Sequence, residues 1–171
     1  KDALHKNQLG AWEYDIVEPA YKCNMTDIMA SIGLAQLERY DEMLKRRHNI
    51  IRTYEEKLKG HNVLTLQHED LENNTSSSGH LFITRVNGIE EQTRNEIIKK
   101  MAQRDIATNV HYKPLPMLTA YKNLGFDIKN YPNSYNFYKG EITLPLYTLL
   151  TDEQVEYVIN NFVDILGEYN I

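Results

Sequence analysis

The chain has 171 residues, a formal net charge of −5, 42% hydrophobic residues and 25% charged residues. This is enough chain for one domain with its own core, and the acidic balance argues against a nucleic-acid backbone as partner. No apolar run approaches the roughly 18 to 20 residues of a membrane span, no signal peptide is visible, and the lone cysteine, Cys23, excludes an internal disulfide and fits a cytoplasmic location.

Residues 14–26 read as an irregular polar turn that runs into a long amphipathic helical stretch. Thr26 or Asp27 can cap the free N–H groups there. From Asp27 to Leu58 the apolar residues Ala30, Leu37, Leu44, Ile51 and Leu58 recur every seven, a helical stripe closed by Gly60 as a C-terminal cap. One unbroken helix of that length would span roughly 48 Å, more than a small domain, so a bend or break is expected near Tyr40-Asp41. Ile28, Ile32, Leu34 and Leu37 lie around much of the first part of this stretch. That is more apolar surface than a small sheet covers, so it predicts an exposed patch or burial in a dimer.

Val63 to Leu66 reads as a strand, and the polar run from His68 to Gly79 as a mobile loop. His80 to Val86 alternates apolar and polar residues and is the best strand candidate. Thr93 and Glu96 form a capping-box pattern that opens a helix with Ile97, Ile98, Met101 and Ala102 on one face. Its end falls at Arg104-Asp105, where Asp105 can adopt the left-handed turn. Ile106 to His111 reads as a strand leading into Tyr112-Lys113-Pro114-Leu115-Pro116, where the prolines prevent regular structure. Asn130 to Tyr138 reads as a short helix and Glu141 to Leu144 as a short strand. Thr151 and Gln154 cap a final helix with Val155, Val158, Ile159, Phe162, Ile165 and Leu166 on one face. The fold class is α+β: a small, mostly antiparallel sheet with helices packed on it, plus a long N-terminal helical segment. The domain reading is the remnant of a larger-domain or linker region over 1–26, a long connecting helix, with the break noted above, over 27–60, and a small C-terminal α+β domain over 61–171.

Two constellations can carry chemistry. Lys22 and Asn24 precede a helix N-terminus, whose positive dipole end suits a phosphate or carboxylate; on local chemistry alone, a solvated capped turn is the favoured explanation, since most capped helix starts bind nothing. His111 and Tyr112 sit at a strand end before a proline-stiffened loop, which holds them as a substrate contact requires, although a histidine on a strand also serves structure alone. Lys113 and Arg85 can neutralise a pyrophosphate or simply form surface ion pairs. The other histidines show neither HExxH spacing nor cysteine partners, so no metal is assigned. Glu55-Glu56 and Glu90-Glu91 read as solvated faces.

The order of several segments is more specific than any one of them. Trp12-Glu13-Tyr14-Asp15, Pro19-Ala20-Tyr21-Lys22-Cys23-Asn24-Met25-Thr26-Asp27-Ile28, Gly33-Leu34-Ala35-Gln36-Leu37 and Arg46-Arg47 come first. His80 to Val86, Arg94, Val110-His111-Tyr112-Lys113-Pro114-Leu115, Tyr121, Pro132 and Leu144-Pro145-Leu146-Tyr147 follow. Together they resemble the DegT/DnrJ/EryC1/StrS family of sugar aminotransferases across nearly the whole chain. The resemblance implies the C-terminal domain of a fold-type-I enzyme that uses pyridoxal 5′-phosphate. Its reaction would move nitrogen from an amino donor such as glutamate to a nucleotide-linked keto-sugar, in a homodimer, for glycan precursors. The family's Schiff-base lysine is expected upstream of Lys1, so no catalytic residue is assigned and the chain alone is expected to be inactive. The resemblance assigns Asn24 and Lys22 to cofactor binding across a dimer interface, and His111, Tyr112 and Lys113 to substrate binding. Cys23 fills an aromatic position of the family pattern as a small buried residue, and Tyr135 stands where relatives commonly carry glutamate. The alternatives are a sugar dehydratase of the same superfamily, in which histidine replaces that lysine, and a non-catalytic interaction module.

Overall fold

Strand β6 (Phe82–Val86) is the centre of the larger sheet, and its alternating burial shows why. Phe82, Thr84 and Val86 face the core at 0%, 0% and 2% exposure. In the computed structural model, which describes residues 4–6, 14–16, 21, 24–70 and 72–171, the chain divides into two units, Lys1–Arg39 and Tyr40–Ile171. The first holds the antiparallel pair β1 (Leu4–Lys6) and β2 (Tyr14–Ile16), with Leu4 opposite Ile16, and helix α1 (Asp27–Leu37). The second holds α2 (Tyr40–Leu58), β3 (Val63–Thr65), β4 (Glu69–Asp70), β5 (Thr75–Ser76), β6, α3 (Glu91–Gln103), α4 (Thr119–Asn123), α5 (Pro132–Tyr138), β7 (Glu141–Leu144) and α6 (Asp152–Glu168).

The second unit is α+β with small antiparallel sheets. Its three-stranded sheet runs β3-β6-β7, with Val63 opposite Val86 and Phe82 opposite Leu144. Helices α2, α3 and α6 supply most of the rest of the core: Ile50, Ile51, Tyr54 and Leu58; Ile97 and Met101; and all six apolar residues expected on α6. A fully buried side chain of this size contributes about 1.5–3 kcal/mol. Tyr54 packs on Phe82 at 5.0 Å between ring centroids and donates its hydroxyl to the Pro145 carbonyl at 2.9 Å, tying α2 to the end of β7. Thr151 and Gln154 cap α6 reciprocally, as their spacing anticipates. Gly60 follows α2 at φ 87°, the left-handed cap that favours glycine.

Four expectations differ from what the chain does. The long N-terminal helical segment over 27–60 is not supported as one element: the break expected near Tyr40-Asp41 falls at Glu38–Arg39, and α1 and α2 are separate helices in different units. Among the described residues the seven-residue stripe is buried in α2, at Ile51 and Leu58, whereas on α1 Ile28, Ile32, Leu34 and Leu37 are 60–74% exposed, the apolar patch their spacing predicts. The polar run 68–79 is not a structureless loop. Asp70 Oδ1 accepts the N–H groups of Glu72 and Asn73, both at 3.1 Å, and closes a β4-β5 hairpin, while His68 stacks on Phe82 at 5.8 Å. Helix α3 begins at Glu91, ahead of the Thr93–Glu96 pattern, with no side-chain cap. Residues 106–111 make no strand beyond one antiparallel bridge, Asn109 to Thr143. There Asn109 Oδ1 takes the Val110 N–H at 2.8 Å, a local bond that competes with ladder formation. Among the described residues no helix is long and apolar enough to cross a membrane.

Candidate active-site residues at the sheet edge

β7 can begin where it does because residue 140 is glycine. A Cβ there would lie 2.3 Å from the Val86 carbonyl oxygen, while the Val86 N–H donates to the Gly140 carbonyl at 2.9 Å. This close crossing brings Glu141 in beside β6, with Arg85 opposite it. Arg94 of α3 holds the same spot from beneath. Its guanidinium, 2% exposed, donates to the carbonyls of Tyr138 at 3.1 Å and Glu141 at 3.3 Å and lies 4.6 Å from the Tyr138 ring centroid. Tyr138 in turn donates its hydroxyl to Glu91 at 2.8 Å.

The bridge between Asn109 and Thr143, closed by backbone bonds of 3.2 and 2.8 Å, adds one more edge to the sheet beyond β7. Two residues along, the His111 N–H donates to Glu141 Oε2 at 2.9 Å. His111 Nδ1 lies 2.9 Å from Thr143 Oγ1, and that hydroxyl donates to Glu141 Oε1 at 2.5 Å. His111 Nε2 lies 3.4 Å from Asn109 Nδ2. Burial pushes the Glu141 carboxyl above its ordinary value; the bonds from Thr143 and the His111 amide, and the nearby His111 and Arg94 charges, oppose the rise.

The structure thus brings His111 together with Glu141, Thr143 and Asn109. Tyr112 follows at 76% exposure, its ring edge-on to His111 at 4.8 Å between centroids, and Lys113 is exposed. The peptide between His111 and Tyr112 is cis. Arg85 is not part of this group: its guanidinium turns to Asn87 Oδ1 at 2.9 Å and lines a separate cleft of about 520 Å³ with Asn133, Asn136 and Lys139. Tyr135 is half-buried, 6.4 Å from the Tyr138 ring. Sequence reading took Glu141 and Thr143 only as strand residues. Their i, i+2 spacing, which places both on one face of β7, was the available signal. Beyond Tyr112, an apolar recess lined by Leu115, Pro116, Tyr121, Phe126 and Tyr131 encloses about 370 Å³.

In the first unit, Thr26 is the N-cap of α1 and its Oγ1 accepts the Met29 N–H at 3.3 Å. Asn24 is exposed two residues earlier, while Lys22 and Cys23 lie outside the described residues. Among the described residues, no group of three or more His, Cys, Asp or Glu side chains could hold a metal.

An α+β unit of this build is shared with solved aminotransferases. Residues 3–163 match the DegT/DnrJ/EryC1/StrS aminotransferase family, and the chain belongs to it. Spore coat polysaccharide biosynthesis protein SpsC of Bacillus subtilis is 34% identical over 92% of this chain and 41% of its own length. A UDP-4-amino-4,6-dideoxy-N-acetyl-beta-L-altrosamine transaminase of Campylobacter jejuni is 27% identical over 91% of this chain and 40% of its own. The PLP form of Spr1654 from Streptococcus pneumoniae, a provisionally assigned sugar aminotransferase, superposes with a TM-score of 0.81 at 55% identity, over 94% of this chain and 41% of that one. The chain therefore spans about two-fifths of the length of the relatives it matches. Family and neighbours indicate pyridoxal phosphate as the cofactor of such proteins.

Proposed function

We propose that these 171 residues are the C-terminal portion of a pyridoxal-phosphate aminotransferase acting on a nucleotide-linked keto-sugar. The observation that carries this reading is the family match over residues 3–163, joined to a histidine held at a sheet edge by a buried carboxylate and a hydroxyl. Coverage of only two-fifths of the relatives supports a longer working protein, and the exposed apolar side chains of α1 support a partner surface there, contributed by that longer chain or by a second copy. The residues present fit one end of the cofactor. Thr26 satisfies the Met29 N–H, and the amides of Asp27 and Ile28 have no partner among the described residues, so the helix start can receive a phosphate, with Asn24 just ahead of it and Lys22 two residues further back in the sequence.

When bound, pyridoxal phosphate supplies the electron sink for nitrogen exchange. His111 and Tyr112 orient the sugar, and Lys113 neutralises anionic charge on the nucleotide. The lysine bonded to the cofactor lies outside this sequence in the proposed arrangement, so residues 1–171 alone do not turn over. A cytoplasmic homodimer completes the proposal, with Asn24 serving the partner's cofactor.

The experiment supplies [15N]glutamate and a UDP-linked 4-keto-6-deoxy sugar to the longer protein and reads the product by mass spectrometry. Nitrogen-15 in the sugar is expected. Loss of water without label would instead support the dehydratase reading, and no change in the sugar would refute both. Mixed dimers test the placement of Asn24. One subunit carries Asn24→Ala and the other lacks the cofactor-bonded lysine, so a trans arrangement concentrates both defects in one site and retains about half of wild-type activity. Impairment of both sites would place Asn24 with its own subunit.

A further inference from the structure

The chain of contacts from Glu141 through Thr143 to His111 contains more information than its distances, because a hydroxyl carries only one proton. Glu141 Oε2 accepts the His111 backbone N–H at 2.9 Å and Oε1 is 2.5 Å from Thr143 Oγ1. An ionised carboxylate can only accept, so the single Thr143 proton points at Glu141. What Thr143 then turns toward His111 Nδ1, 2.9 Å away, is a lone pair. Nδ1 must carry the hydrogen, and in the neutral ring Nε2 carries the lone pair. The other side of the ring agrees. Asn109 Oδ1 is committed to the Val110 N–H at 2.8 Å, which turns its Nδ2, a donor, toward Nε2 at 3.4 Å.

We propose that Glu141 and Thr143 are positioning residues that lock His111 as the Nδ1–H tautomer and make Nε2 a hydrogen-bond acceptor, whose lone pair passes from the long contact with Asn109 Nδ2 to a sugar hydroxyl when substrate binds. The chemistry of this ligand is specific. A hydroxyl can donate to Nε2, whereas a ketone or phosphate oxygen offers only lone pairs and is repelled. His111 therefore reads the hydroxyl-bearing part of the substrate, and the phosphates fall to cations such as Lys113. Arg94 donates to the Glu141 backbone carbonyl at 3.3 Å from α3, and its charge, with that of His111, favours the ionised carboxylate against the rise caused by burial. The hydroxyl contact rests on the substrate-binding reading of His111; the tautomer does not.

The test is 15N nuclear magnetic resonance of the histidine-labelled protein near pH 8, with His111 assigned through a His111→Gln variant. In the wild type the N–H nitrogen of His111 is expected to be Nδ1, and finding it at Nε2 overturns the lock without recourse to any variant. Glu141→Gln is the sharper probe. The amide oxygen must take the His111 N–H, so the amide nitrogen faces Thr143 and donates to it. The Thr143 proton then swings to Nδ1, and the tautomer reverses to Nε2–H. Were Glu141 mere packing, the near-isosteric glutamine would leave the tautomer unchanged. Thr143→Ser is expected to preserve the wild-type tautomer and Thr143→Val to release it. In the longer protein, Glu141→Gln is expected to raise KM for the UDP-linked keto-sugar about tenfold, the loss of one neutral hydrogen bond, with kcat little changed. A reversed tautomer with unchanged KM would overturn the hydroxyl contact and the substrate role of His111, while leaving the aminotransferase reading to the nitrogen-transfer assay.

Discussion

Replacing Arg94 by methionine keeps most of the buried volume but removes the buried cation that α3 sends beneath β7. Arg94 is 2% exposed, and its Nη1 serves two carbonyls, Tyr138 at 3.1 Å and Glu141 at 3.3 Å. Each carbonyl left without a donor costs about 1–3 kcal/mol. The guanidinium over the Tyr138 ring, at 4.6 Å, adds about 1 kcal/mol. Against this, the variant no longer has to desolvate a cation, and the thioether packs well. The net expected loss is about 2–4 kcal/mol. Arg94→Lys keeps the charge without the planar fork, so it should fall between wild type and methionine. Urea unfolding followed by circular dichroism reads this directly: with a slope of about 2 kcal/mol per molar, the midpoint should drop by about 1–2 M. A methionine variant as stable as wild type would refute the reasoning, since it would mean that both carbonyls have other donors.

Three further outcomes follow from the same region and its neighbours. Gly140→Ala drives a Cβ to 2.3 Å from the Val86 carbonyl oxygen; because backbone cannot yield as a side-chain tip does, the loss should exceed about 2 kcal/mol and appear as faster hydrogen exchange along β6 and β7. Burial holds the Glu141 carboxyl above its ordinary 4.5, so the folded chain binds this proton more tightly than the unfolded one. Its contribution to stability therefore declines as pH rises from 4.5 through the raised value, and Glu141→Gln should flatten that decline in a pH series of thermal melts. Glu69 behaves in the opposite sense. Hydrogen bonds from His48 and Arg52 lower its value, so its contribution is present above pH 4.5 and lost as pH falls through the lowered value. Glu69→Gln should remove that acid-side loss from the exchange protection of the 68–77 hairpin.

Local chemistry was enough to identify the elements whose partners lie within a few residues. Thr151 and Gln154 satisfy each other, the six apolar residues of α6 share one stripe, and Gly60 and Asp105 occupy the left-handed turns that end α2 and α3. Such features follow from periodicity and from which residue tolerates positive φ, and neither depends on the rest of the molecule. The order of the segments from Trp12 to Tyr147 was likewise enough to recognise the family, because order and spacing survive where single residues change.

What tertiary contact alone decided is the pairing of groups distant in sequence. The bond between Thr143 and Glu141 is local, but His111 reaches them across about 30 positions, and nothing in residues 106–111 announces that one bridge at Asn109 replaces a strand. Arg94 carries no mark of burial; it becomes a buried donor because α5 ends, and β7 begins, with a carbonyl above it. The seven-residue stripe was correct as a helical signal and silent about length, since a stripe records which face is apolar and not what covers it. In α2 the core covers that face, whereas in α1 it is exposed. Sequence periodicity thus determined the elements, and only the folded chain could decide which polar atoms meet, because a hydrogen bond depends on ångström-scale placement that the order of residues does not encode.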